Sequence, residues 1–326
     1  MAHYLVTGAA GFIAARVAAF LLDAGHTVVG VDNLNDAYDV RMKEYRLKQL
    51  QARAGFEFNR LDISDWGAVE QLGASSLAFD GVINLAARAG VRASVENPWV
   101  YVDTNVTGTL NLLELCQRMD VPKFVLASTS SIYGNDAPLP TPETADSSAP
   151  LQAYAASKKG AEAMAHAYHN LYGIDVTVVR FFTVYGPAGR PDMSIFRFIR
   201  WIIEGETLRL NGDGTQSRGF TFLDDIARGV ILALKKVGFE IINLGGHENI
   251  TMNELIAMIV RQVDRQASIK YYPFPAADMM ANLADVTKAG ELLGWEASVG
   301  MEDGIARAIA WYTKNRAWAV ELETGS

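Results

Sequence analysis

YLVTGAAGFIAARVAAF, residues 4–20, is the stretch on which the fold turns. An apolar run of strand length reaches Thr7, bends through Gly8 and Gly11, and passes into a pattern with helical period. Gly8, Gly11 and Ala14 fall in a G-x-x-G-x-x-G/A frame. Glycine at the first two positions permits a tight turn and lets a pyrophosphate approach backbone N–H groups at the helix start. A small third residue lets the helix pack on the strand. Glycine turns without ligands are common, so the frame gains weight from its position after the first strand and from Asp32, which closes the next apolar run, TVVGVD. A carboxylate there accepts hydrogen bonds from adenosine ribose hydroxyls and repels a 2′-phosphate, which favours NAD over NADP. The alternative for Asp32 is a turn or cap residue. Asp62 and Ile63, ending the third run, flank an adenine by the same logic.

From this unit the pattern repeats outward. FEFN, GVINLA, KFVLAS and DVTVVRFF read as strands, with helical segments near 42–55, 65–72, 98–119 and 151–172. Continuous Val/Ile/Leu-rich strands alternating with helices predict an α/β, Rossmann-type, doubly wound parallel sheet covered on both faces. After residue 186 the rhythm gives way to Gly/Pro/Asp-rich loops between helices at about 193–204, 251–263 and 301–315. This predicts a smaller, mostly C-terminal α/β substrate domain. The strand IINLGG and the helix after LDD return to the first sheet. The expected division is therefore residues 1–185 with about 219–246 for the dinucleotide, and residues 186–218 with 247–326 for the substrate. LETGS reads as a frayed tail.

The 326 residues are 50% hydrophobic and 20% charged, enough for a large core. No apolar stretch reaches the ~20 residues of a membrane helix, and the start lacks signal-peptide features. The expectation is a cytoplasmic protein with no membrane partner. A net charge of -8 argues against nucleic acid, which needs a broad positive field. A small anion met by a few converging arginines is compatible with it. The single cysteine, Cys116, sits in an apolar helical setting and reads as a buried thiol. No metal site is expected.

Two further stretches carry chemistry. In QAYAASKKG, Tyr154 and Lys158 lie four residues apart and share a helix face. A nearby ammonium favours tyrosinate and lowers the phenol towards a pKa useful for taking a proton from an alcohol. ASTSSIYG, residues 127–134, ends a buried strand with hydroxyls at 128 to 131 and no carboxylate. Serines satisfying terminal backbone groups are the alternative for Ser128 and Ser131.

TGAAGFIA, Asp32, NLAA at 84–87, ASTSSIYG, YAASK, RFFTVYGP and GDGTQSRGFTFLDD occur in order over nearly the whole chain. Together they resemble the extended short-chain dehydrogenase/reductases, specifically the nucleotide-sugar epimerase group. GRPDM after RFFTVYGP is most similar to the UDP-glucuronate 4-epimerases. The resemblance implies bound NAD contacted by Gly8, Gly11, Phe12, Ile13, Asp32, Asn33, Asp62, Ile63, Leu85, Ala86, Ala87, Asn105, Tyr154 and Lys158. It further implies inversion at C4 of a UDP-sugar through a 4-keto intermediate, with Tyr154 as base, Thr129 bonded to the 4-oxygen and Lys158 on the nicotinamide ribose. A homodimer through a four-helix contact of the 98–119 and 151–172 segments is also implied.

Related dehydratases carry Asp and Glu where this chain has Ser130 and Ser131, and decarboxylases carry Glu at the second position. Lacking these, the chain lacks the acid and base for elimination. The resemblance places Ser130, Thr183 and Arg190 at the sugar's C6 end, where a planar guanidinium suits a carboxylate. A surface ion pair or a diphosphate contact is the alternative for Arg190. Arg218 would face the diphosphate and Asp278 the uridine ribose. Gly219, where Asp is usual, Arg88, where Gln is frequent, and PAADMM depart from the family pattern. A 4-epimerase of neutral UDP-hexoses, a UDP-glucuronate decarboxylase and a non-catalytic NAD or nucleotide-sugar sensor are the rival readings.

Overall fold

The computed structural model describes residues 1–75, 78–246, 248–275 and 278–325. Its strands are β1 (His3–Thr7), β2 (Thr27–Asp32), β3 (Phe56–Arg60), β4 (Gly81–Asn84), β5 (Lys123–Thr129) and β6 (Asp175–Phe181), followed by β7 (Thr183–Tyr185) and β8 (Thr207–Asn211). After these come β9 (Ser217–Phe222), β10 (Phe239–Leu244), β11 (Asn249–Thr251) and β12 (Ser268–Tyr272). Helices α1 (Phe12–Asp23), α2 (Val40–Gln51) and α3 (Trp66–Ser75) precede two short ones, α4 (Ala93–Glu96) and α5 (Trp99–Tyr101). Then come α6 (Gly108–Arg118), α7 (Ala153–Tyr172), α8 (Ser194–Glu204), α9 (Leu223–Leu232), α10 (Met252–Val263), α11 (Thr287–Leu293) and α12 (Met301–Ala319).

Seven strands form one parallel sheet in the order β10-β6-β5-β4-β1-β2-β3. The order reverses between β1 and β4, so a crevice opens beyond their C-terminal ends. Successive side chains point to opposite faces of a strand. Leu5, Val82, Phe124, Leu126, Val176 and Val178 accordingly pack on α3, α6 and α7. Val6, Ile83, Val125, Val179 and Ile242 pack on α1, α9 and α11. Both faces are dry, which is why these strands read as unbroken apolar runs.

The predicted 98–119 helix is interrupted: α5 passes through a π-helical turn, Val102–Thr107, into α6. The extra residue of such a turn rotates one side chain out of register. Buried Asn105 thereby accepts the Arg88 N–H at 2.9 Å and donates to the Arg88 carbonyl and Ser157 Oγ. The loops expected after residue 186 contain the short strands β8, β9, β11 and β12, preceded by β7. These pair β11-β9-β7 and β12-β8, over long sequence separations that local patterning does not register. They enclose their own apolar core with α8, α10 and α12, centred on Phe198, Ile202, Leu255, Ile259 and Ile305.

The C-terminal segment corrects the frayed-tail expectation. Leu322 is buried, its carbonyl accepts from Arg200 at 2.6 Å, and the Glu323 N–H donates to Asp39. Arg41 also grips the Glu321 carbonyl, so the tail bridges α2 and α8.

Beneath the C-terminal ends of β5 and β6, Glu162 of α7 and Arg180 of β6 form a bidentate pair at 2.9 and 2.7 Å, 3% and 1% exposed. Ser128 Oγ donates to the same carboxylate at 2.6 Å. Removing one partner of such a pair strands a buried charge. Glu162→Ala is expected to lower stability by about 3–5 kcal/mol, seen as a fall in the urea midpoint. Replacing both partners with Met is expected to cost less than the single change.

Candidate active site

A cleft of about 980 Å³ runs from the glycine turn after β1, across the C-terminal ends of β4 and β5, to β9 and α8. At one end, Gly8 holds φ +68°, and a Cβ there would meet Ala86 backbone atoms at 2.9 Å. A Cβ on Gly11 would meet the Gly8 carbonyl at 2.8 Å. The turn therefore approaches β4 as closely as backbone permits. α1 starts directly behind it with no side-chain cap and no acidic residue in its first turn, so its N–H groups and positive dipole end are available to an anion. Phe12, Ile13, Leu85, Ala86 and Ala87 line the same end.

Asp32, 8% exposed, ends β2. It accepts from Leu34 N at 2.8 Å and Ala10 N at 3.2 Å, so it braces both turns as well as facing the cleft. Lys43 lies 3.7 Å away, and burial holds its ammonium below the usual lysine range. Asn33 donates to Asp62 at 2.7 Å. Burial opposes ionisation of Asp62, but the Ser64 N–H, its hydroxyl and the Asn33 amide outweigh this and lower its pKa. The glycine turn, the uncapped helix and the carboxylate at the β2 end fit a dinucleotide with a pyrophosphate and an adenosine ribose.

At the middle of the cleft, β5 delivers Thr129 and the first turn of α7 delivers Tyr154, close enough for the threonine hydroxyl to act on the phenol. Tyr101 packs edge-on against the Tyr154 ring at 6.1 Å. Burial pushes the Tyr154 phenol above its ordinary value, and the Thr129 hydroxyl and the Arg190 charge act against that. This differs from the sequence expectation, in which Lys158 lowers it. Lys158 sits one helical turn deeper, 2% exposed, and burial pushes it down to about 8, partly offset by Glu162. The charge felt by Tyr154 belongs to Arg190.

Arg190 lines this part of the cleft and stacks over the Tyr38 ring at 5.2 Å. Burial works against its charge, but a fork to Asp192 at 3.0 and 2.6 Å holds it. Thr183 and Ser130 face the same space, and Ser130 Oγ accepts from Asn282 at 2.9 Å. Ser128 Oγ donates to the Glu162 carboxylate of the buried pair, and Ser131 N–H donates to Thr129 Oγ1 at 3.2 Å while Ser131 also lines the cleft; among the described residues neither serine side chain meets a strand-end backbone group, as the alternative reading required.

At the far end, Arg218 is pinned by carbonyls of Ser217 and Met279, both at 2.7 Å, and burial lowers its pKa. Asp278 forms a fork with Arg92 at 3.3 and 2.6 Å, joining the segment between β12 and α11 to the start of α4. Ala276 and Ala277 of PAADMM lie outside the described residues. Sequence reasoning missed Arg92, Arg197 and Asn282. Arg197 Nε is buried without a hydrogen-bond partner among the described residues, and the side chain lies 4.6 Å over Trp201 and lines the cleft. Its position on the polar side of the very apolar SIFRFIRWIIE helix was the available signal.

A family model for the NAD dependent epimerase/dehydratase family matches residues 4–245. The chain is 54% identical over 316 residues to a UDP-glucuronate 4-epimerase of Thermodesulfobacterium geofontis, covering 97% of each chain. It superposes with TM-score 0.90 on a UDP-glucuronic acid 4-epimerase of Bacillus cereus crystallised with UDP-glucuronic acid and NAD, at 33% identity over 96% of this chain and 99% of that one. A Thermotoga maritima UDP-glucose 4-epimerase with UDP-glucose gives 0.89 at 31% identity, with the same coverage. With its glycine turn, its Tyr154–Thr129 pair and these matches over most of its length, the chain belongs to the NAD dependent epimerase/dehydratase family.

Proposed function

We propose that the protein inverts C4 of UDP-glucuronate to give UDP-galacturonate through a 4-keto intermediate. The observation that carries this is the convergence of Tyr154, Thr129 and Arg190 on one part of the cleft, with serines rather than carboxylates at 130 and 131. The named relatives, two of them UDP-glucuronate 4-epimerases, support the reading. When bound, NAD supplies a hydride acceptor that returns the hydride, so net redox is zero. We assign its pyrophosphate to the turn at Gly8 and Gly11 with Phe12 and Ile13, and its adenosine to Asp32, Asn33, Asp62 and Ile63. Its nicotinamide end goes to Leu85, Ala86, Ala87, Tyr154 and Lys158, with Asn105 bracing the loop after β4. Residues 1–185 with about 219–246 form this unit, on whose sheet α11 also packs.

In this scheme Tyr154 takes the proton from the sugar 4-hydroxyl and Thr129 holds the 4-oxygen. Lys158, buried behind them, orients the nicotinamide ribose. Residues 186–218 and 247–326 hold UDP, with Arg92, Arg197 and Arg218 on the diphosphate and Asp278 towards the uridine ribose. The sugar swings about the diphosphate to present its other face. A 4-keto-uronate loses carbon dioxide readily when its carboxylate is desolvated, so polar contacts from Arg190, Thr183 and Ser130 keep it solvated by protein. A neutral UDP-hexose is the second reading, favoured by the Asp192 fork that already occupies Arg190.

We further assign a homodimer through α5–α6 and α7. Trp99 is 75% exposed, and Val102, Leu171 and Tyr172 are exposed apolar residues on these segments. Patches of this kind mark association surfaces.

Incubation with UDP-glucuronate, UDP-glucose and UDP-N-acetylglucosamine, with products identified by NMR, tests the substrate; release of a UDP-pentose or conversion of the neutral sugars alone would overturn it. Tyr154→Phe is expected to lower kcat at least 100-fold with little change in bound NAD. Trp99→Glu is expected to shift sedimentation towards monomer. Lys158 opposes folding below its folded pKa of about 8, where it is charged in both states. That penalty is relieved as pH rises towards its unfolded value of about 10.5. In nucleotide-free protein, Lys158→Met should therefore raise the unfolding temperature at pH 7, with a gain that shrinks between about pH 8 and 10.

A further inference from the structure

Ser130 stands next to Thr129 at the point where β5 ends, buried but open to the cleft. Its hydroxyl meets Asn282, 152 residues later in the chain, whose Nδ2 donates to Ser130 Oγ at 2.9 Å. No other hydrogen bond to Ser130 Oγ is present among the described residues. A hydroxyl carries one proton and two acceptor lone pairs. With the amide donating to the oxygen, the Ser130 proton is free to be given to a group in the cleft, and the pair becomes a two-step donor relay.

The segment carrying Asn282 is held from both sides. Ser217 N donates to the Met280 carbonyl at 2.9 Å and Gly219 N to the Asn282 carbonyl at 2.7 Å, so it runs along β9. On its other side Thr141 N donates to the Leu283 carbonyl at 2.8 Å. A Cβ on Gly219 would meet Leu283 Cδ1 at 3.0 Å and the Gly246 carbonyl at 3.1 Å. The glycine at 219, a departure from the family pattern, therefore permits the close approach that brings Asn282 to Ser130.

We propose that Asn282 is a positioning residue for substrate selection: by donating to Ser130 it fixes that hydroxyl as a donor to the acceptor-only carboxylate at sugar C6. A neutral hydroxymethyl group brings its own proton and gains less from a fixed donor. The inference rests on the UDP-glucuronate reading above and extends it to a residue acting through another.

The test compares wild type, Asn282→Leu, Asn282→Asp, Ser130→Ala and the Asn282→Leu/Ser130→Ala double variant, each checked for melting temperature and NAD content. Binding of UDP-glucuronate and of UDP-glucose is measured by calorimetry, together with kcat and KM for UDP-glucuronate. Asn282→Leu is expected to weaken UDP-glucuronate about 10-fold and UDP-glucose less than about 3-fold. Asn282→Asp turns the Ser130 proton away from the sugar and is expected to lose more. The double variant is expected to be no worse than Ser130→Ala, because the two residues act as one unit. Equal losses for both sugars, or additive losses in the double variant, overturn the role of Asn282. A wild type that prefers UDP-glucose overturns the parent reading, and is visible before any variant is compared.

Discussion

The buried pair between Glu162 and Arg180 determines where the chemistry sits. Two opposite charges taken out of water are tolerated only with good geometry and further hydrogen bonds. Here the guanidinium forks onto the carboxylate while Ser128 donates to it, and Arg180 Nη1 donates to Tyr133, which in turn donates to Asn243 of β10. The network ties α7 to β5, β6 and β10 at one depth. Tyr154 and Lys158, on the same helix, are thereby set against Thr129 at the end of β5. Satisfying one buried carboxylate and aligning the groups proposed for proton transfer are the same packing event.

Electrostatics in the cleft run opposite to the net charge. The chain carries -8 overall, yet Arg92, Arg190, Arg197 and Arg218 all line the cleft. Association with a dianionic diphosphate is governed by this local field, because exposed charges beyond about 8–10 Å are screened at physiological salt. Several of these guanidiniums are already held, by Asp192, Asp278 or backbone carbonyls. Their positions are thus prepared, and a ligand exchanges partners rather than ordering free side chains, which lowers the entropic cost of binding.

Hydroxyls beside Thr129 divide into two kinds. Ser128 serves the buried Glu162 carboxylate, while Ser130 and Ser131 line the cleft, Ser130 under a donor from a distant segment. Under the proposed function, side chains that cannot move protons at C5 would confine the site to oxidation and reduction at C4. A missing carboxylate at 130 and 131 is in this sense as informative as the presence of Tyr154.

Much was legible in the residues alone. The alternation of apolar runs with helical periods determined a doubly wound parallel sheet, because strands buried on both faces have no polar side to show. Gly8, Gly11, Asp32 and the Tyr154–Lys158 spacing marked the proposed cofactor end and the proposed proton-transfer helix, because each depends on contacts within one strand-turn-helix unit or one helical turn. Only the tertiary structure decided the rest. The short strands after residue 186, the docked tail, the raised pKa of Tyr154, the lowered pKa of Lys158 and the placing of Arg197 and Asn282 all depend on burial or on partners many residues distant. No local pattern encodes desolvation or a contact across 152 residues, since both arise only when separate segments exclude water from the same space.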